Sequence, residues 1–281
     1  MKILSLNVWG GMLHAPLLAY LADVDADVYC LQEVPRAIAA RSAFLTYRDG
    51  AVELQQRANL YRDIAAALPG HDGFFAPAMR GELMDGAHPC WQEFGLATFV
   101  RQDVSVIGQA LDFVHGAFSP HAFGPHPRPR NAHALRLYDY AADRALTVVQ
   151  LHGLRTVDGK GDTPERDAQA DALIALVQRL HRPDEGLVLC GDLNLLPESR
   201  TFGALSRLGL TDLVTTRGFT DTRTSHYTKP GRYADYMLVN ATVPVAGFAV
   251  VESPEVSDHR ALLLTLGQGA SSTHAERAPR H

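Results

Sequence analysis

Six short stretches place carboxylates, amides and imidazoles where an apolar run ends: Leu6-Asn7, Leu31-Gln32-Glu33, Leu151-His152, Gly191-Asp192-Leu193-Asn194, Ala234-Asp235-Tyr236 and Ser257-Asp258-His259. Within Leu189–Pro197, Asp192 and Asn194 stand two residues apart, so on a strand they share one face. An isolated Asp-x-Asn equally suits an Asx turn. Glu33 alone also reads as a surface acid and His152 alone as a core histidine, whereas Asp235 sits inside an apolar run where an unpartnered carboxylate is costly. Several carboxylates with amide and imidazole companions, and no clustered cysteines, make a hard oxygen site suited to Mg²⁺ or Mn²⁺ rather than structural zinc. Such a site can hydrolyse a phosphate ester by polarising the phosphoryl group, placing a water in line and stabilising the leaving oxygen.

To deliver these groups the apolar runs must be strands. Lys2–Asn7, Val28–Leu31, Trp91–Val100, Val104–Phe113, Ala134–Tyr140, Ala145–Leu151, Gly186–Cys190, Tyr233–Val239, Val245–Val251 and Ala261–Leu266 have the length and residue types for it. Pro35 keeps Val34 extended, which fixes Glu33 at a strand terminus. Helices are predicted over His14–Ala22, over Val52–Leu68 from the spacing of Leu54, Ala58, Tyr61 and Ala65, and over Glu198–Leu208. Thr163-Pro164-Glu165 starts another: a hydroxyl cap, proline at the first helical position and acids in the first turn lead a helix to about Leu180. Phe74–Ala76 reads as a short strand followed by a polar loop through Arg80, Glu82 and Asp85. The segment His115–His133 holds four histidines, stiffened by four prolines; the irregular spacing favours a substrate-facing loop over a zinc site.

At 281 residues the chain is long for one domain and short for two enzymatic ones, so one domain over residues 1–266 is expected, with residues 267–281 a disordered tail for want of any apolar pattern. No run is long enough to span a membrane, so no stable membrane association is expected, and the N-terminus lacks a signal-peptide pattern, which predicts a cytoplasmic protein. Cys30, Cys90 and Cys190 are far apart and odd in number, and are expected to be free and packed. A formal charge of -5 supplies no long-range attraction to polyanions, so a phosphate-bearing substrate must meet a local basic patch. No protein partner can be inferred.

The six strand ends, in this order, resemble the endonuclease/exonuclease/phosphatase superfamily, the group containing deoxyribonuclease I, neutral sphingomyelinases and inositol polyphosphate 5-phosphatases. The resemblance covers nearly the whole body of the chain, with Gly191-Asp192-Leu193-Asn194 and Ser257-Asp258-His259 its most specific pieces. It implies an α/β fold, a four-layer sandwich of two packed, mainly antiparallel sheets flanked by helices. It also implies roles. Glu33 resembles the principal metal carboxylate, with Asn7 and Asp258 near the Mg²⁺ or Mn²⁺ or its waters. Asp192 and Asn194 resemble the pair that activates water and binds phosphate, and Asp235 the carboxylate that fixes the tautomer of His259. His152 resembles the second histidine, and Glu93 sits where relatives place the carboxylate supporting it. His152-Gly153-Leu154 departs from the apurinic-site endonucleases, which carry a tyrosine-based segment there, and this argues against DNA repair.

For substrate contacts, Lys160 between two glycines is the foremost candidate, followed by Arg155, Arg130 and Asn131; each also reads as an ordinary surface residue. The expected activity is metal-dependent hydrolysis of a phosphate ester, foremost a phosphodiester in a nucleic acid or nucleotide-like substrate. A phosphatase acting on a small metabolite or lipid head group is the alternative within the class. A binding protein retaining the fold without turnover is the alternative outside it, and the intact acid, amide and histidine set argues against it.

Overall fold

The computed structural model describes residues 1–49, 52–156 and 159–267. In chain order the elements are β1 (Lys2–Asn7), a 3-10 turn (Trp9–Gly11), α1 (His14–Val24), β2 (Val28–Arg36), β3 (Phe44–Asp49), β4 (Val52–Arg57), α2 (Leu60–Ala67), β5 (His71–Asp85), β6 (His88–Arg101), β7 (Ser105–His115), β8 (Arg130–Asp139), β9 (Arg144–His152), α3 (Pro164–Leu180), β10 (Gly186–Asp192), α4 (Arg200–Leu205), β11 (Thr211–Asp212), α5 (Leu213–Thr216), β12 (Asp235–Val239), β13 (Val245–Val250) and β14 (Leu262–Leu266).

The strands form two sheets, in the orders β13-β14-β1-β2-β6-β5-β3-β4 and β11-β12-β10-β9-β8-β7. Each sheet has the same heart: one parallel pair, β1 with β2 or β10 with β9, flanked by antiparallel neighbours. The pleat decides which residues meet which layer. Ile3, Val28 and Cys30 point into the core between the sheets, while Leu4, Leu6, Tyr29 and Leu31 point to the other face, against Leu17 and Leu21 of α1 and Leu60 and Ile64 of α2. Leu173 and Val177 of α3 cover the second sheet from outside. Both sheets are thus buried on two faces, which is why their central strands read as continuous apolar runs. The layers are helix, sheet, sheet, helix, as expected from the resemblance. All three cysteines are free and buried.

Parallel pairing is what gathers the chemistry. In β1/β2 the register sets Asn7 beside Gln32, and in β10/β9 it sets Asp192 beside His152, while antiparallel β12 sets Asp235 beside Asp192. Asn7, His152, Asp192 and Asp235, each at the end of its strand, therefore lie at one edge of the packed sheets, with Gln32 beside Asn7. Behind them a buried polar chain ties sheet to sheet: Gln32 Nε2 donates to Gln150 Oε1 (3.0 Å), Gln150 Nε2 donates to Thr98 Oγ1 (2.7 Å), and Thr98 Oγ1 meets His133 Nδ1 (2.7 Å).

Two predicted elements are corrected. Residues 52–57 are strand β4, paired with β3, and the helix starts only at Leu60, where the Asn59 side chain accepts from the Arg62 N–H as its N-cap. The polar stretch Arg80–Asp85 is the outer half of β5, in a long hairpin with β6. Both err for one reason: their strand character comes from pairing with an adjacent strand, β3 for β4 and β6 for the outer half of β5, which neither a 3.6-residue spacing nor a polar composition reveals. The α3 start agrees with its prediction, Thr163 capping the Arg166 N–H with Pro164 in the first turn. The predicted tail, beyond Gly267, lies outside the described residues.

Candidate active site

Three local backbone features aim the side chains. Between Leu31 and Val34 the β2/β6 register slips, and Glu33 takes φ +59°, so this bulge turns its carboxylate out of the ladder. Gly191 takes φ +137°, and a Cβ there would stand 2.0 Å from the Leu151 carbonyl oxygen, so only glycine lets β10 close on β9. Asn194 adopts φ +53°, a conformation asparagine tolerates, and its N–H donates to Asp192 Oδ1 (3.1 Å). Asp192 therefore forms the Asx turn with one oxygen and faces the site with the other.

Asp192 Oδ2 is the hub. It accepts from Asn7 Nδ2 across the two sheets (3.0 Å) and lies 3.6 Å from both His152 Nε2 and His259 Nε2. Burial alone would raise its carboxyl pKa, but His259, His152, Arg223 and Lys160 hold it far below the usual carboxylate range. His259 is 4% exposed, and its Nδ1 donates to both oxygens of Asp235 (2.9 and 2.8 Å). Burial acts to lower the His259 pKa, yet Asp235 and Asp192 raise it above the ordinary value. Burial pushes the Asp235 carboxyl up, against the pull of His259. His152 is driven down to about 3 by burial and by Arg130, so it is a neutral imidazole, and its 3.6 and 3.8 Å separations from Asp192 and Glu33 are not ion pairs.

The donor set suits a hard divalent ion. Oxygen or nitrogen atoms of Glu33, His152 and Asp192 lie within 4.8 Å of one another. Burial raises the Glu33 carboxyl pKa, His259 and the Asn7 amide oppose this, and Asp192 and Asp258 repel it further, so a cation among these oxygens would relieve the crowding. A second close group, Asp192, Asp235 and His259, is already satisfied by the Asp235–His259 hydrogen bond and reads as a proton relay instead.

The expected residues do not all converge. Asn7, Glu33, His152, Asp192, Asn194, Asp235, Asp258 and His259 meet at this edge, around a cleft of about 790 Å³ that Lys160 and Arg155 also line. Arg155 is exposed at its rim. Lys160 Nζ donates to the carbonyl oxygens of Tyr233 and Gly231, and burial lowers its pKa. Arg130 is 8% exposed and its Nε donates to the Gly153 carbonyl (2.9 Å), so it buttresses the strand end behind the site. Asn131 is spent on the Ala76 and Pro77 carbonyls (3.1 and 3.2 Å), joining the sheets rather than facing the cleft. Glu93 is held by Arg36 (2.7 Å) on the neighbouring strand β2, because the β2/β6 register sets those two residues opposite each other. It does not line the cleft with His152.

Arg223 escaped sequence reading. It is 5% exposed, stands 4.2 Å over the Tyr227 ring, and donates from Nη1 to Asp258 Oδ2 (3.1 Å) and to His259 Nε2. Guanidinium can only donate, so this contact needs a bare Nε2: Arg223 and a proton compete for the same lone pair. The polar loop Arg217–Arg232 offers no local signal of this; the β-bridge between Arg223 and His259 makes it. Trp9, in the turn after β1, and His226 form another wall, their rings 6.1 Å apart.

This architecture, with polar strand ends of two packed sheets converging on one cleft, defines a class of phosphate-ester hydrolases. The Endonuclease/Exonuclease/phosphatase family profile matches residues 4–259, and the chain belongs to that family. No curated protein matches by sequence. Among solved structures, the chain is similar to an endonuclease/exonuclease/phosphatase from Bacteroides vulgatus (16% identity, TM-score 0.67, covering 95% of this chain and 98% of that one). It is also similar to a mannosyl-6-phosphatase from Bacteroides thetaiotaomicron (15%, 0.67, 95% and 99%) and to the human Nocturnin catalytic domain (17%, 0.62, 95% and 93%). At these identities the likeness speaks to the fold. Among the described residues no helix is long and apolar enough to cross a membrane.

Proposed function

We propose that the protein is a Mg²⁺- or Mn²⁺-dependent phosphodiesterase acting on a nucleic acid or nucleotide-like substrate. The observation that carries this reading is the pair of buried hydrogen bonds Asp235–His259 and Asn7–Asp192, with His259 Nε2 3.6 Å from Asp192 Oδ2, beside the bulged Glu33 at one cleft. Glu33, with Asn7 and Asp258, would hold the ion, and Asp192 and His152 lie close enough to complete its surroundings. A bound divalent ion supplies positive charge that polarises the phosphoryl oxygens. Asp192, kept ionised, orients and deprotonates the attacking water, and the Asn194 side chain beside it binds phosphate. His259 holds a proton at Nε2 when Arg223 withdraws to Asp258, and Asp235 keeps Nδ1–H fixed so that this proton faces the phosphate. Lys160, Arg155 and Arg223 supply the basic patch that an acidic protein needs for a polyanion.

The test is a panel of DNA, RNA, dinucleotides, sugar phosphates and phospholipids assayed with Mg²⁺ and with Mn²⁺. Preferential cleavage of the nucleic acid or dinucleotide members is expected. Turnover confined to sugar phosphates or phospholipids would replace the diesterase reading with a phosphatase or lipid one.

A further inference from the structure

Next to the catalytic cleft lies a second cavity, of about 330 Å³, which shares Trp9, Glu33, His152 and Arg155 with it. Its chemistry differs. The Tyr47 and Phe123 rings stand 5.8 Å apart at 58°, and Phe94 and Met79 add apolar wall. Polar side chains line the rest of it: Gln55, Gln56, His126, Arg128 and Arg130, besides those shared with the catalytic cleft. Arg128 donates from Nη2 to the Tyr47 hydroxyl (3.3 Å), its guanidinium lies 5.7 Å from the Phe123 ring centre, and its buried Nε has no acceptor among the described residues. Gln56 lines the cavity from β4, packed over Gly10, where a Cβ would come 3.8 Å from the Gln56 amide nitrogen.

We propose that this cavity is the subsite for a nucleobase attached to the phosphate that reacts at Glu33 and Asp192; the inference rests on the phosphodiesterase reading and names the ring its substrate carries. A planar heterocycle can stack on an aromatic wall and take hydrogen bonds at its edge from amide and guanidinium groups. An alkyl chain would fill the same volume but leave the Arg128 and Gln56 donors unpaired. The size agrees, since ligand pockets start at about 300 Å³. Shared walls at Trp9, Glu33, His152 and Arg155 put ring and phosphate within one molecule's reach. The paired strands β3 and β4, which supply Tyr47 and Gln56, thus take part in selecting the substrate.

Calorimetric titration of the full chain without added metal, where no turnover intervenes, tests this with AMP, ribose 5-phosphate, dodecyl phosphate and an adenine trinucleotide. AMP or the trinucleotide should bind at least about tenfold more tightly than ribose 5-phosphate, the scale of one base stacked on an aromatic side chain. Which of the two binds tighter assigns the source, free nucleotide or strand. Tyr47→Leu should erase the margin, and Tyr47→Phe, which keeps the ring, should retain it. Equal affinities for AMP and ribose 5-phosphate, no measurable AMP binding at millimolar concentration, or tightest binding of dodecyl phosphate would each overturn the subsite. Hydrolysis of methyl 4-nitrophenyl phosphate, which has no base, reports separately on the phosphodiesterase reading.

Discussion

Replacing Asp235 by asparagine isolates the proton relay. His259 Nδ1 sits 2.8 and 2.9 Å from the two Asp235 oxygens, and both side chains are almost fully buried, 4% and 3% exposed. Two things change together: the charge that raises the His259 pKa against burial is lost, and the amide can offer its NH₂ to Nδ1, which flips the imidazole to the Nε2–H tautomer against Arg223. A positioned general acid contributes about 10²–10⁴-fold, so losing the partner that orients and charges His259 should lower kcat/KM by roughly that factor. With His259 as proton donor, its lowered pKa should also move the alkaline limb of the pH–rate profile to lower pH. The assay is kcat/KM for methyl 4-nitrophenyl phosphate with Mg²⁺ across pH, beside thermal denaturation. Stability should hold, because burial already disfavours the Asp235 charge in the folded state. A rate within threefold of the parent with an unshifted profile would refute the relay.

Four other outcomes are expected. His133, buried and driven down to about 4 by desolvation, must stay neutral in the fold. Its folded pKa lies below its unfolded value near 6.5, so its contribution is fully present above pH 6.5 and is lost as pH falls toward 4, on the order of 3 kcal/mol; urea unfolding of His133→Gln should show a shallower acid loss than the parent. Gly153→Ala should lower stability by about 1–3 kcal/mol, because its Cβ would stand 2.2 Å from the Leu193 carbonyl oxygen; an unchanged melting temperature would show that β9 and the Leu193 turn can part. Glu93→Ala should leave kcat/KM within threefold, since Glu93 pairs with Arg36 and not His152; a hundredfold loss would restore the role that family position suggests. Glu33→Gln should weaken Mn²⁺ binding at least tenfold in calorimetry with the circular dichroism spectrum retained, and an unchanged titration would remove Glu33 as principal ligand.

What could be read from the sequence was local: an apolar run of strand length with a polar residue at its end. Asn7, Glu33, His152, Asp192, Asp235 and His259 all carry that signature, and parallel registers then bring the ends together. The Asx turn and the reactive face of Asp192 looked like competing readings, yet the two carboxylate oxygens divide them. What stayed hidden depends on pairing with another segment. β4 has helical spacing, and only β3 makes it a strand; Arg223 belongs to a charged loop, and only its bridge to His259 buries it. Glu93 shows the converse. Its position in the chain suits the site, but the register across β2 gives it to Arg36.

The central claim, that these strand ends form a metal-dependent phosphoesterase site centred on Asp192, is tested most directly by phosphate-ester turnover in one matched set. Parent and Asp192→Asn proteins are assayed on methyl 4-nitrophenyl phosphate and 4-nitrophenyl phosphate, with Mg²⁺, with Mn²⁺ and with EDTA. Turnover by the parent that EDTA stops and added metal restores, and that falls at least a hundredfold in Asp192→Asn, is the predicted result. Metal-independent turnover, or equal turnover by the two proteins, would contradict it.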